Sequence, residues 1–226
     1  KAVNPFKLQV TMRFSQEVQW ADEDVQIGVL QDLASNASIA LGRALDLVGI
    51  HKINPLTGTV SSLVKEGLVD TKQSVQLAGT KYDEAIEAAA GMIISSGYVP
   101  SGIAMDPTLS FGLSTMRDAD GRKIYPEIGF GQNLTNFSGM TAAVSDTVSA
   151  KNEITPDTKL LGIVGQFDAF RWGVQRSIGA HLIEYGDPDG LGDLQRQNQI
   201  AIRAEIVYGI GIMDQAAFTK IVKAEE

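Results

Sequence analysis

Apolar and polar residues alternate with a period of two near both ends of the chain. Leu8, Val10, Met12 and Phe14 share one face of a strand, with Gln9, Thr11 and Arg13 on the other. Near the C-terminus Ile200, Ile202, Ala204, Ile206 and Tyr208 repeat the pattern, while Arg203 and Glu205 place opposite charges on the second face. A sheet edge with this much alternation invites pairing unless something covers it. Between these strands the period lengthens to that of a helix. From Val25 to Val48 an apolar stripe runs through Val25, Val29, Leu33, Ala37, Leu41, Leu45 and Val48. Asp22, Glu23 and Asp24 supply negative charge at its start, and Gly49 is the expected stop, with Ile50 folding back on Leu45. Such a helix is about 36 Å long, a spine rather than a local element. Gly28 and Gly42 inside it each cost about 1 kcal/mol against alanine unless close packing recovers the loss.

The middle of the chain strings together shorter elements. His51 to Gly79 is a turn-rich connection around Asn54, Pro55 and Gly58. A second helix opens at Thr80, with Asp83 at capping-box spacing. It buries Tyr82, Ile86, Ala89 or Ala90, and Ile93, and ends at Gly97. Ser101 to Met105 is a short strand, and Asp106 with Pro107 starts a third helix running through Met116. Asp118 to Gly121 is a turn, followed by a short strand from Lys123 to Tyr125. Pro126 to Thr158 is rich in Gly, Asn, Ser and Thr and reads as loops with one or two weak strands. Strands return at Leu160–Val164, Gly173–Ser177 and Leu182–Tyr185. This order predicts an α+β protein whose terminal segments come together around an inserted middle.

Composition narrows the function classes. A chain of 226 residues makes one large domain or two small ones, and 44% hydrophobic content is ample for a core. A formal charge of −8 counts against a nucleic-acid-binding surface, since affinity for phosphate backbones comes from concentrated Lys and Arg. The longest basic groupings are pairs such as Arg122 with Lys123. The absence of Cys removes disulfides, thiolate nucleophiles and nearly all structural zinc sites, which fits an intracellular protein. No uninterrupted apolar run approaches the roughly 20 residues of a bilayer span, and no signal-like segment is present. The sequons at Asn36, Asn133 and Asn136 therefore carry no glycosylation meaning. A chain beginning at Lys1 rather than Met reads as a trimmed fragment.

The chemical motifs fail one after another. Gly129 with Gly131, and Gly209 with Gly211, lack the third glycine of a dinucleotide loop. Asp187 to Asp193 hints at calcium, but Leu191 stands at the fifth loop position, where an oxygen ligand belongs, so a turn is expected. His51 and His181 are the only histidines and lie 130 residues apart, which fits packing or loop roles better than a metal or catalytic pair. Ser62 and Lys65 match a short serine–lysine motif, in which a neutral Lys would activate Ser, without the companion motifs of such hydrolases. A structural or binding protein with no cofactor and no metal is expected, rather than an enzyme.

Three stretches together resemble the major capsid protein of tailed bacteriophages, the Hong Kong 97-type fold. The first is Leu8–Val18 (LQVTMRFSQEV) with the acidic start and the long helix, ending at Ile53–Gly58 (INPLTG). The second is Tyr82–Pro126, which holds a helix, a strand, the helix begun by Asp106 and Pro107, and the turn at Asp118–Gly121. The third is Gly165–Ser177 (GQFDAFRWGVQRS), then Glu184–Gly190 (EYGDPDG), then the strand within Asn198–Phe218. Each motif alone is loose, and their common order carries the resemblance over most of the chain.

The resemblance implies an α+β capsid fold with a spine helix, a peripheral domain and an axial domain. Residues 1–62 would form the peripheral domain with its spine helix, residues 63–194 the axial domain. Residues 195–226 would be C-terminal strands that return to the peripheral domain and close the axial sheet. It also implies a homo-oligomer of pentamers and hexamers, a virion component assembled in the bacterial host cytoplasm. The icosahedral shell would enclose DNA without reading its sequence and touch no membrane. Portal and scaffold or protease proteins would be its partners. The negative charge fits, because a lining that gripped DNA would hinder packing and release. The chain lacks the N-terminal arm and extended loop that precede the first strand in the family pattern. Some members join subunits by a Lys–Asn isopeptide bond assisted by a Glu, and Asn198 and Glu205 resemble the acceptor and the acid in spacing. The residues themselves favour a plainer reading, with Asn198 a polar strand start and Glu205 paired to a basic neighbour. Arg203 and Glu205 are then expected to make contacts within or between subunits. The second reading of the same fold is an encapsulin-like compartment shell enclosing enzyme cargo, and the remote one is a serine–lysine hydrolase at Ser62 and Lys65.

Overall fold

The computed structural model describes residues 4–129, 134–154 and 157–224, apart from the side chains of Gln19, residues 23–27 and Ile178. The sequon at Asn133, the glycine at Gly131 and the side chains of Glu23, Asp24 and Val25 lie outside the described residues. The chain divides into two compact units, one of Val3–Leu45 with Trp172–Ile210, the other of Asp46–Arg171 with Gly211–Glu226. The first unit is built by strand pairing between segments far apart in sequence.

In the first unit, β1 (Phe6–Ser15), β7 (Phe170–Ile183) and β8 (Gln199–Ile212) form a three-stranded sheet in the order β1-β8-β7. The antiparallel register of β1 and β8 runs unbroken from Phe6 opposite Tyr208 to Ser15 opposite Gln199. Every apolar residue of the predicted stripe on β1 therefore meets one of the predicted stripe on β8. β7 is a single strand of 14 residues, not the two strands expected at 173–177 and 182–185. Strand geometry needs no turn between them, and Gly179 adds no side chain that would force one.

The spine helix is α1 (Glu23–His51), 29 residues and so about 44 Å long. It does not stop at Gly49. The chain turns two residues past Ile50, where Lys52 takes a left-handed φ of 59° and its N–H still donates to Val48 O at 3.0 Å. Among the described residues no packed neighbour lies within 4 Å of a Cβ position at Gly28 or Gly42, so no close packing there recovers their helix penalty. Among the described residues one segment, Gly28–His51, is long and apolar enough to cross a membrane by length and composition, a test that the core helix of a soluble protein also passes.

The second unit is a six-stranded mixed sheet in the order β2-β9-β6-β3-β5-β4. Its strands are β2 (Ser74–Leu77), β3 (Gly102–Met105), β4 (Asn136–Phe137), β5 (Met140–Val144), β6 (Leu160–Gly165) and β9 (Phe218–Lys223). β6 is buried at all six positions, which explains an apolar run without alternation. One face packs against α2 (Tyr82–Ser95) and α3 (Pro107–Thr115), where Ile86, Ile93, Leu109 and Leu113 meet Ile103, Met105, Val164 and Ile221. On the other, Ile50, Leu68, Leu160, Ile163 and Phe218 make a second cluster. Asp106 caps α3 as expected, accepting from Thr108 N at 2.7 Å. The capping box expected at Thr80 is absent: Lys81 is the N-cap and its side chain instead reaches Glu84 at 2.8 Å. The strand expected at Lys123–Tyr125 reduces to one bridge between Arg117 and Lys123.

His51 shows how the end of α1 is held. Its Nε2–H donates to Thr147 O at 3.1 Å and Val148 O at 3.0 Å, while Nδ1 finds no partner among the described residues. Burial pushes the imidazole below its ordinary value, opposed by those two carbonyls and more weakly by Glu153 and Asp157. The unfolded chain thus binds the proton more readily than the fold. The stabilisation from neutral His51 is complete above about pH 6.5 and is lost as pH falls through the lowered folded value. Urea midpoints should decrease from pH 7.5 to pH 5.5, and a His51→Gln chain should decrease less over the same interval. Equal decreases would show that His51 is not the group involved.

Candidate functional site

The residues singled out for chemistry do not converge. Ser62 and Lys65 are both exposed on a loop, whereas a lysine acting as base requires burial. His51 is buried in the unit of the six-stranded sheet and His181 is exposed on β7 in the other. Gly209 and Gly211 lie inside β8, with no helix start to make a phosphate cradle. Among the described residues no three His, Asp or Glu side chains are grouped to hold a metal.

What the structure does assemble is a cluster of charges on the polar face of the β1–β8 pair. In that register Thr11 stands opposite Arg203 and Gln9 opposite Glu205, with Lys7 and Arg13 further along the same face. Lys7 Nζ donates to Glu205 Oε1 at 3.2 Å, a diagonal cross-strand pair that accounts for a largely buried carboxylate. Arg203 Nε donates to Thr11 Oγ1 at 3.0 Å, and its Nη2 donates to the carbonyl of Pro188. Both residues expected to make subunit contacts are thus engaged within the chain. Asn198 sits exposed just before β8 in a left-handed conformation with φ 53° and ψ 44°, its N–H donating to Gln195 O at 3.2 Å. Seven residues of extended strand hold Asn198 and Glu205 about 23 Å apart. A covalent link using both would have to draw them from different copies of the chain.

Arg13 is the centre of this face, a role its place in the first strand did not reveal. Its side chain is only 10% exposed, and the connection between β7 and β8 wraps around it. Nε donates to both Asp189 carboxylate oxygens at 2.9 Å, Nη2 to Asp187 Oδ1 at 3.0 Å and Gly192 O at 2.9 Å, and Nη1 to Gln197 Oε1 at 3.0 Å. Nη2 also contacts Asp189 Oδ1. Asp187 in turn accepts from Gly190 N at 2.8 Å and Gly192 N at 3.1 Å. The acidic loop that suggested calcium therefore encloses the chain's own cation. The hydrogen bond from Arg13 holds the Asp189 carboxyl below the usual range, and the same bond raises the guanidinium. An acidic, glycine-rich loop with no cation of its own was the available signal.

The opposite face of this sheet is aromatic. Phe6 and Tyr208 rings lie 6.3 Å apart, and Trp172 of β7 meets Tyr208 edge-on at 6.3 Å. Trp172 nonetheless stays 56% exposed, and Val174 and Leu182 on the same strand are exposed as well.

Known proteins place this architecture. A structure from Mycobacterium phage Ogopogo is 48% identical, superposes with a TM-score of 0.87, and is covered over 76% of its chain by 98% of this one. One from Gordonia phage Cozz is 33% identical with a TM-score of 0.84, covering 100% of this chain and 72% of that one. The capsid of an empty GTA particle shares the fold alone, at 14% identity and a TM-score of 0.65 over 99% of this chain and 73% of that one. No curated protein sequence matches. The pattern of the phage capsid family, however, matches residues 1–223: this chain is a member of the phage capsid family.

Proposed function

We propose that this structural capsid protein is the major shell subunit of a tailed phage or prophage, assembling through pentamers and hexamers into an icosahedral shell around DNA. The observation that carries the reading is the 48% identity, across nearly the whole chain, to the Ogopogo phage structure. In this reading the three-stranded sheet with the first part of α1 acts as the peripheral domain, and the six-stranded sheet with α2 and α3 as the axial domain. Assembly takes place in the host cytoplasm with portal and scaffold or protease partners, and the product is a virion. The DNA is held without base recognition, in keeping with a net charge of −8. The phage matches favour this over an encapsulin-like compartment, and the exposure of Ser62 and Lys65 leaves the hydrolase without support.

Electron microscopy of the full-length protein tests the reading. Hollow icosahedral shells are expected, and strictly monomeric protein would overturn it. Because Glu205 is committed to Lys7, the shells are expected to be non-covalent. Particles boiled in detergent should release single chains on a gel, whereas a ladder of multimers would show cross-linking.

A further inference from the structure

β7 leaves more apolar surface uncovered than a free sheet edge tolerates. It is the terminal strand of the order β1-β8-β7, so its outward backbone groups face no neighbouring strand in that sheet. Alternation puts Trp172, Val174, Arg176 and Leu182 on one face, and all four are exposed. Arg171 and Arg176 meet no carboxylate among the described residues. Phe170–Ile183 contains no Asp or Glu, in a chain whose net charge is −8.

The segment that follows the other terminal strand has the opposite character. β1 runs directly into a short 3-10 turn, Gln16–Trp20, and then into α1. Glu17 and Asp22 are exposed there, Glu23 and Asp24 follow in the sequence, and residues 16–42 contain no Lys or Arg. Trp20 stands 71% exposed in the same segment. The edge strand β7 is thus basic and aromatic, and the segment that follows β1 is acidic and aromatic. Within a single chain β8 separates them.

We propose that β7 of one copy receives the acidic Gln16–Asp24 segment of a second copy, with Arg176 on the Trp172 face and Arg171 on the opposite face meeting Glu17 and Asp22 from the two sides of the edge, and the two exposed tryptophans buried between them. The two surfaces differ, so the contact is heterologous, and repetition around an axis closes it into a ring. Opposite charges on matching edges fix which edges meet and reject like pairings. The inference rests on the shell-subunit reading and names the surfaces that make the ring.

The test uses the full-length protein and sedimentation of assembled particles. A chain carrying Arg171→Glu and Arg176→Glu is expected to lose about tenfold or more of its shell yield, since like charges then oppose each other across the contact. Adding Glu17→Lys and Asp22→Lys to that chain should restore assembly, an effect that misfolding could not produce. Undiminished yield from the doubly reversed chain overturns the proposal. Loss without rescue overturns it too, and assigns the edge to another occupant. If the unaltered chain forms no particles at all, the shell reading itself fails, whereas failure of the swap alone leaves that reading standing.

Discussion

Replacing Phe218 with alanine is expected to lower stability by about 3–5 kcal/mol and the melting midpoint by on the order of 10 °C. Phe218 is fully buried at the start of β9, the strand between β2 and β6. Its ring meets Phe167 edge-on at 5.7 Å and lies over Gly165 of β6 so closely that a Cβ there would sit 2.3 Å from Phe218 Cδ1. Glycine at 165 and phenylalanine at 218 are thus one packing unit. Gly165→Ala alone is expected to cost about 1–3 kcal/mol by overpacking, because both the ring and the Ala217 carbonyl at 3.1 Å would have to move. Combined with Phe218→Ala it should cost less than the sum of the two, since the first change fills part of what the second empties. Thermal and urea unfolding of the four chains measures this directly. A Phe218→Ala chain melting within about 2 °C of the parent would refute the assignment of Phe218 as a keystone of this core.

The second large effect falls on the loop between β7 and β8. Arg13→Ala removes the guanidinium that Asp187, Asp189 and Gln197 share, and leaves both carboxylates without that hydrogen-bonded partner. Protease cleavage within residues 186–197 is expected to rise on the order of tenfold or more, because local opening of a loop follows the contacts that close it. Arg13→Lys should restore little, since one ammonium cannot reach acceptors spread around a planar fork. Acid should act in the same direction. The Asp189 carboxyl is held below its usual range by Arg13, so the clamp is complete above about pH 4 and weakens as pH falls through the lowered value. Unchanged cleavage of the Arg13→Ala chain would show that the turn orders itself without the guanidinium.

The legible parts of the fold are those in which a local pattern decides the outcome. Period-two alternation identified β1 and the stripe of β8, and their pairing follows once both apolar faces must share one side. Asp106 and Pro107 marked the start of α3 through chemistry confined to one turn. β9 escaped notice because it is buried on both faces at Phe218 and Thr219 and so shows no alternation. Its parallel partner β2 lies more than a hundred residues away. The role of Arg13 was illegible for the same reason: its partner Asp189 is separated by 176 residues, so only folding brings them together. Among the site residues, the within-chain partners of Arg203 and Glu205, namely Thr11, Pro188 and Lys7, were not identifiable from the sequence.

Among the described residues the boundaries between the two compact units fall at 45/46, 171/172 and 210/211, inside α1, β7 and β8 respectively. None falls in a loop. Excising either unit would sever a helix and two strands, so neither is expected to fold as an autonomous module. A genetic recombination that replaced one unit would have to supply two discontinuous segments at once, each joined in register within a regular element. The continuous helix and strands thus make the two units one covalent and hydrogen-bonded piece, and a cut at any of these boundaries is expected to unfold both.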